Sequence, residues 1–205
     1  MVAIKSAALI TLLGAVSALP VPNDFITEVT LSAVKPVPNS SVPWKDGSIN
    51  ANHQRFYIGE RSALISADNE VVPATATKAS FLLSRTHGTL GLNVAVLGGQ
   101  QVYIDDTGAL RYLVPRDPLP TLKTKSDDWH LNDNKDAYFY NQQVNIWWAC
   151  PPTAAAKNTG PWQIFADTRQ LIVQDKDVPS KNKKDCTIFD LKAFFSIPLS
   201  YNNNI

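Results

Sequence analysis

The chain has 205 residues, 44% of them hydrophobic, which is enough for one domain with a sizeable core. Its 19 basic and 18 acidic side chains give a formal net charge of +1. A protein so close to neutral lacks the basic footprint of nucleic-acid binding, so no nucleic-acid partner is expected, and bulk electrostatics are not its mode of action.

The first eighteen residues have the layout of a secretory signal peptide. Lys5 supplies a positive charge, an apolar run follows, and Val16-Ser17-Ala18 is a small-residue cleavage site; a buried first helix is the alternative. No later stretch reaches the roughly 18 apolar residues of a membrane helix, and the C-terminal SIPLSYNNNI lacks the tail of a lipid-anchor signal. We therefore expect residues 1–18 to be removed and the protein to be secreted, extracellular and without a membrane anchor.

Residues 19–54 are rich in proline and polar side chains. We interpret them as an extended N-terminal segment ahead of a single β domain over residues 55–205. Within the segment, Val29, Leu31 and Ala33 alternate with polar neighbours, and this alternation predicts one early strand.

The same segment contains an N-glycosylation sequon, Asn39-Ser40-Ser41. Its polar, proline-rich surroundings predict an exposed position, and secretion would make it accessible to glycosylation. Asn39 is therefore the predicted glycosylation site.

From Arg55 onward, short runs of β-branched and aromatic residues alternate with turn signals. We predict three hairpins, with turns at Gly59–Ser62, at Asp105–Gly108 and at Asn132–Asp136. Helical periodicity is scarce. The pattern predicts an all-β antiparallel β-sandwich, and a β-trefoil-like closed barrel is the alternative.

Strand alternation in VNIWWAC separates its aromatic residues onto two faces. Val144, Ile146, Trp148 and Cys150 form the predicted core face, and Trp147 then points away from the core. In the following strand, GPWQIFAD, the residues Trp162, Ile164 and Ala166 share one face by the same rule.

Three aromatic side chains are candidates for carbohydrate binding, because aromatic faces stack on sugar rings. Tyr138 and Tyr140 share one face of their predicted strand, and with Trp147 they could form a platform on an open side of the sheet. The alternative is that both sides of the sheet are covered, in which case these rings belong to the core.

Cys150 and Cys186 are the two cysteines of the chain. In an oxidising, extracellular compartment they predict one disulfide, and the chain-entropy model gives such a crosslink about 4 kcal/mol of stability. It would hold the polar segment before Cys186. The lysines of PSKNKKD in that segment are flanked by Asp177 and Asp185, which predicts a solvated loop.

The aspartates and histidines of the sequence are not spaced as in a known catalytic or metal-binding motif. Asp105-Asp106 and Asp127-Asp128 could supply the two carboxyls of a glycoside hydrolase, about 5–10 Å apart, but both pairs adjoin turn signals and favour a turn role. His53, His87 and His130 lack metal-ligand spacing. We therefore predict no catalytic residues, no metal site and no cofactor.

The order and spacing of three short motifs resemble one known family. They are Ala149-Cys150-Pro151, the octapeptide GPWQIFAD at 160–167, and Asp185-Cys186. These resemble the C-terminal half of the PhiA-like fungal cell wall proteins, over residues 100–195. The resemblance implies a secreted, wall-associated fungal protein without enzymatic activity, and it transfers only the cysteine pair.

The sequence thus predicts a secreted, non-enzymatic cell wall protein with a structural or wall-interaction role. Wall polysaccharide and neighbouring wall proteins are the expected partners. A lectin-like module with a defined sugar, a secreted polysaccharide-active hydrolase and a host-directed effector are the alternatives.

Signal cleavage gives the first testable prediction. Mass spectrometry of the secreted protein should show an N-terminus between Leu19 and Asp24, because cleavage follows the small-residue site. An intact Met1 on the secreted form would contradict the assignment.

Overall fold

The computed structural model describes residues 26–35, 42–60, 63–65, 71–73, 78–94, 100–114, 126–131 and 139–195. The predicted signal peptide and Asn39 lie outside these ranges. No helix in these ranges has the length and apolar character that crossing a membrane would require.

The described residues form strands joined by turns and two short 3-10 turns. The strands are β1 (Ile26–Val34), β2 (Ile49–Asn52), β3 (Arg55–Ile58), β4 (Ala63–Ile65), β5 (Val71–Pro73), β6 (Ser80–Ser84), β7 (Thr89–Leu92), β8 (Val102–Ile104), β9 (Leu110–Tyr112), β10 (Trp129–Leu131), β11 (Phe139–Asn141), β12 (Val144–Cys150), β13 (Trp162–Thr168) and β14 (Thr187–Phe195), and the 3-10 turns are Ala154–Asn158 and Lys183–Asp185. The predicted all-β class is confirmed.

Within the described ranges, twelve strands belong to one sheet. Its neighbours follow the order β5-β4-β2-β3-β13-β12-β14-β1-β6-β7, and β9 pairs with both β3 and β8. Neighbouring strands are antiparallel except β2 and β4, which are parallel where Asn52 faces Ala63. β10 and β11 form a separate antiparallel pair. The predicted antiparallel arrangement is confirmed, and the strand order does not close into the alternative barrel.

The sheet folds over so that distant strands face each other. Phe56 of β3 and Phe81 of β6 are both fully buried, and their ring centroids are 5.6 Å apart. In the sheet order, β13, β12, β14 and β1 lie between these two strands. Tyr112 of β9 meets Phe56 edge-on at 5.4 Å. The main core therefore lies between two halves of one sheet, as in a sandwich.

The N-terminal strands belong to this sheet, which corrects the predicted boundary at residue 54. β1 pairs with β14 and β6, and β2 pairs with β3. Val29, Leu31 and Ala33 point into the main core, so the predicted early strand is confirmed. The described part of residues 19–54 cannot be separated from the domain, because β1 supplies one wall of the core.

The hairpin predicted around the turn at Gly59–Ser62 is wrong. β3 is already paired on both edges, with β2 on one side and with β13 and β9 on the other, so it has no free edge for β4. Its hairpin partner is β2, through a turn at His53 and Gln54, which have φ values of 46° and 60°. Two consecutive positive φ angles suit a tight hairpin turn.

The hairpin predicted at Asp105–Gly108 is confirmed as β8 and β9. Gly108 has φ 85°, and a Cβ there would lie 2.5 Å from Val173 Cγ2 and 2.9 Å from the carbonyl oxygen of Ala166. Glycine is therefore required both by the turn and by its contact with β13. β10 and β11 pair as the third predicted hairpin requires, and its turn lies outside the described residues.

A second, smaller core lies on the opposite face of β12 and β13. All seven residues of β13 are buried. Trp162, Ile164 and Ala166 share the main core, as their alternation predicts. The residues of the second core are Ala109, Cys150, Phe165, Val173 and Val178. The last two come from residues 169–185, here called the cover loop, which lies over this face.

The predicted disulfide between Cys150 and Cys186 is confirmed, with an S–S distance of 2.10 Å. Cys150 ends β12 and Cys186 precedes β14, and the two strands are neighbours with Ala149 opposite Thr187. The bridge therefore closes a loop that contains β13 and the cover loop.

Loss of the disulfide is expected to lower the free energy of unfolding by about 4 kcal/mol, because the open chain gains conformational entropy when unfolded. Urea unfolding followed by tryptophan fluorescence should show this loss in a Cys150→Ala, Cys186→Ala variant. A reductant should bring the wild type to the same midpoint and leave the variant unchanged. Equal midpoints for oxidised wild type and variant would contradict the prediction.

Candidate functional site

The predicted aromatic platform is not present at Trp147. This ring is 6% exposed and belongs to the main core. It stacks on Trp129 with centroids 6.0 Å apart and packs against Phe189 at 6.4 Å. The prediction that Trp147 points away from the core is therefore wrong, and the ring has no face available for a sugar.

The reason is that β12 is covered on both faces, which was the alternative interpretation. Trp147 and Ala149 face the main core, while Trp148 and Cys150 face the second core. Alternation correctly separates Trp147 and Ala149 from Trp148 and Cys150 but cannot tell which pair faces the larger core. It is wrong for Val144, which packs against the main core and is separated from Ile146 by a shift in the strand register. For the other candidates, Tyr138 lies outside the described residues, and Tyr140 is placed by its backbone, opposite His130 in the β10–β11 pair.

The buried carboxylate of Asp167 organises the second core. Lys183 Nζ donates hydrogen bonds to Asp167 Oδ2 at 2.8 Å and to Oδ1 at 3.0 Å. Trp148 Nε1 donates to Oδ2 at 3.0 Å, and the amide of Val173 donates to Oδ1 at 2.8 Å. The Lys183 ammonium also lies 4.5 Å from the centroid of the Trp148 ring. These contacts attach the cover loop to β12 and β13.

Lys183 corrects the prediction that the lysines of PSKNKKD form a purely solvated loop. Its side chain is 18% exposed and pairs with a carboxylate that is 7% exposed. Lys181 and Lys184, in contrast, are exposed. The local sequence did not distinguish them, because the partner of Lys183 lies 16 residues earlier in the chain, on strand β13.

The candidate aspartate pairs have structural contacts. Asp105 Oδ1 accepts hydrogen bonds from Thr107 N, Thr107 Oγ1 and Ala109 N at 2.6–3.0 Å, and its other oxygen pairs with Arg111. This network holds the β8–β9 turn, so the predicted turn role of the first pair is confirmed.

In the second pair, Asp128 Oδ2 accepts from Gln143 Nε2 at 2.7 Å. The backbone carbonyl of Asp127 accepts from Asn141 Nδ2 at 2.6 Å. These contacts attach the segment before β10 to the last residue of β11 and to the turn that follows it. Across the described ranges, no three His, Cys, Asp or Glu residues converge in a way that could hold a metal ion.

A cleft opens where β1 changes its partner. Residues Ile26–Thr30 pair with β6. Further along, Ser32 forms a bridge with Ser48, and the amide of Ala33 donates to the carbonyl of Gly47 at 2.7 Å. The sheet thus divides into two branches beyond Thr30, and a cleft with a volume of about 310 Å³ lies beside this point.

The cleft is lined by hydroxyl groups, one aromatic ring and one ammonium group. The lining residues are Thr30, Leu31, Ser32, Ser48, Lys78 and Phe194. Phe194 lies opposite Thr30 in the strand register and is 53% exposed, whereas Ser48 is only 4% exposed. None of these residues was a candidate in the sequence. The available signal was the alternation of β14, which places Phe194 on the same face as Asp190 and Lys192.

A carboxylate stands beside the cleft. The hydroxyl and the amide of Ser48 donate to Asp46 Oδ1 at 2.5 Å and 2.9 Å. These two hydrogen bonds, the hydroxyl one first, hold the pKa of Asp46 below its usual value, and the charge of Lys78 acts in the same direction. The cleft therefore has the ionised carboxylate of Asp46 beside it. Its lining contains the ammonium group of Lys78 together with hydroxyl groups and apolar side chains.

The Asp167–Lys183 pair leads to a stability prediction. Lys183→Met should lower the free energy of unfolding by about 3 kcal/mol, because it leaves the Asp167 carboxylate buried without its counter-charge. Urea unfolding measures the loss. Lys184→Met, at an exposed position in the same turn, should change it by less than about 0.5 kcal/mol.

The double variant Asp167→Asn, Lys183→Met should be more stable than Lys183→Met alone, because the neutral amide carries no buried charge. Equal losses for Lys183→Met and Lys184→Met would contradict the role given to this pair.

Comparison with known proteins places the chain in a family. No curated protein and no solved structure matched the chain. The family model of PhiA-like secreted proteins matches residues 37–197, a wider range than the motifs around the disulfide. That range includes β2 to β14, both cysteines and three of the six residues that line the cleft, Ser48, Lys78 and Phe194. The chain therefore belongs to the PhiA-like family of secreted proteins.

Proposed function

We propose that this protein is a non-enzymatic component of the fungal cell wall, where it interacts with wall polysaccharide or with neighbouring wall proteins. The observation that carries the proposal is the match to a secreted family over residues 37–197. A secreted protein that acts in the wall needs a fold that persists outside the cell. The disulfide and the double cover of β13 are consistent with that requirement.

The contacts of the acidic residues support a role without catalysis. A glycoside hydrolase needs two carboxyls about 5–10 Å apart on either side of its substrate. The buried carboxylates Asp105 and Asp167 instead pair with Arg111 and Lys183 and hold turns and loops in place. Asp46 stands beside the cleft, and the described residues that line the cleft contribute no carboxylate. This arrangement favours binding over hydrolysis.

The alternatives differ from the proposal in measurable ways. A secreted hydrolase would release reducing ends from chitin or β-glucan. A host-directed effector would be recovered from the culture medium and not from the producing cell's wall. A lectin-like module is compatible with wall association and would add one defined sugar site.

The wall assignment predicts where the protein is found. When the tagged full chain is expressed in a filamentous fungus, most of the secreted protein should be recovered from washed cell walls, because wall contacts retain it. Quantitative immunoblotting of wall and medium fractions measures this, with a secreted protein of similar size as the control. Recovery in the medium alone, at the level of the control, would sink the proposal.

An activity assay tests the non-enzymatic part of the proposal separately. Purified protein incubated with insoluble chitin and β-glucan should release no reducing ends. Release that is abolished by Asp46→Asn would favour the hydrolase alternative, since Asp46 is the carboxylate beside the cleft.

A further inference from the structure

We propose that the cleft beyond Thr30 binds one uncharged pyranose ring of a wall polysaccharide, with Phe194 as the stacking surface. This inference rests on the proposed function and names the ligand class of one site. It replaces the predicted platform around Trp147 with a different surface, formed by β1, β14 and the segment that leads into β2.

The lining of the cleft matches the two kinds of surface on a sugar ring. A pyranose has an apolar face of C–H groups, which stacks on an aromatic ring, and a rim of hydroxyls, which exchange hydrogen bonds. Phe194 offers a half-exposed ring next to Thr30. Ser32 of β1 and Ser48 of the segment before β2 form a bridge and also line the cleft. The Ser32 hydroxyl can exchange hydrogen bonds with a sugar, whereas the Ser48 hydroxyl donates to Asp46 and can only accept. A volume of about 310 Å³ suits a single small ligand.

The charges at the cleft favour an uncharged ligand. Lys78 lines the cleft and the carboxylate of Asp46 stands beside it, so a ligand meets charges of both signs and not a field of one sign. Both groups can form hydrogen bonds with a sugar, because a carboxylate accepts hydrogen bonds from hydroxyls and an ammonium donates hydrogen bonds to them.

The base of the cleft is fixed before any ligand binds. Gly47 approaches β1 so closely that a Cβ at this position would lie 2.1 Å from the carbonyl oxygen of Ala33. Ser48 is held by its two hydrogen bonds to Asp46. Because these hydroxyl and backbone groups are already positioned, sugar binding would have little ordering cost to offset.

The test uses two soluble probes, chitotriose and laminaritriose, with isotope-labelled mature protein. Addition of one of them should shift the backbone amide signals of Thr30, Ser32 and Ser48. Phe194→Ala should weaken that probe's affinity by about tenfold or more, because the stacking surface is lost. Phe195→Ala is the matched control, since Phe195 is also exposed, at 47%, and strand alternation turns it to the other side of β14. It should bind as the wild type does.

The outcomes separate this inference from the proposed function. If neither probe shifts these amides, or if the affinity of Phe194→Ala equals that of the wild type, the sugar site is overturned. Wall recovery of the wild type is measured independently and can survive that result. If the Phe194→Ala variant does not fold, the location of the probe-induced shifts in the wild type decides, and shifts confined to another surface overturn the site.

Discussion

Strand β13 has seven consecutive buried residues, from Trp162 to Thr168, and such a strand needs cover on both faces. The folded sheet covers one face with the main core. The cover loop, residues 169–185, covers the other face. The Cys150–Cys186 disulfide joins the end of β12 to the residue before β14, so it closes the stretch of chain that contains β13 and the cover loop. The link before β13 is also tied to the strand, because Trp162 Nε1 donates to the carbonyl of Lys157 at 3.0 Å. The disulfide therefore joins the two ends of the stretch of chain that forms the second core.

The second core and its cover loop depend on a charged group as well as on apolar contacts. The cover loop contributes few apolar side chains, and the carboxylate of Asp167 lies buried beneath it. An unpaired carboxylate at that depth would cost several kcal/mol, so the contact with Lys183 is needed to make the position tolerable. The same ammonium lies over the Trp148 ring, which packs against the second core, so this ring links the charge pair to the apolar side chains. Covering β13 and neutralising Asp167 are thus achieved by one loop.

Local sequence signals predicted the elements whose partners are near in the chain. The alternation of Val29, Leu31 and Ala33 gave β1, and the turn residues at Asp105 and Gly108 gave the β8–β9 hairpin. The disulfide followed from the number of cysteines. Features that depend on distant segments were not predictable in this way. The cover over Trp148 comes from a polar loop, and without knowledge of that loop alternation could not identify Trp147 as a residue of the main core.

The cleft has the same dependence on distant segments, and this explains why its residues carry no motif. Ser48 and Lys78 meet because the chain beside β1 comes from two places, the segment before β2 and the segment before β6. Phe194 joins them from the far end of the chain through the register of β14 with β1. The cover loop hides the outer face over β12 and β13, whereas Phe194, on the neighbouring β14, keeps half of its ring exposed. The contacts that stabilise the fold thus lie near the disulfide, and the proposed sugar site lies at the divided end of β1. Phe194→Ala should therefore weaken sugar binding without the decrease in the free energy of unfolding that is expected of Lys183→Met.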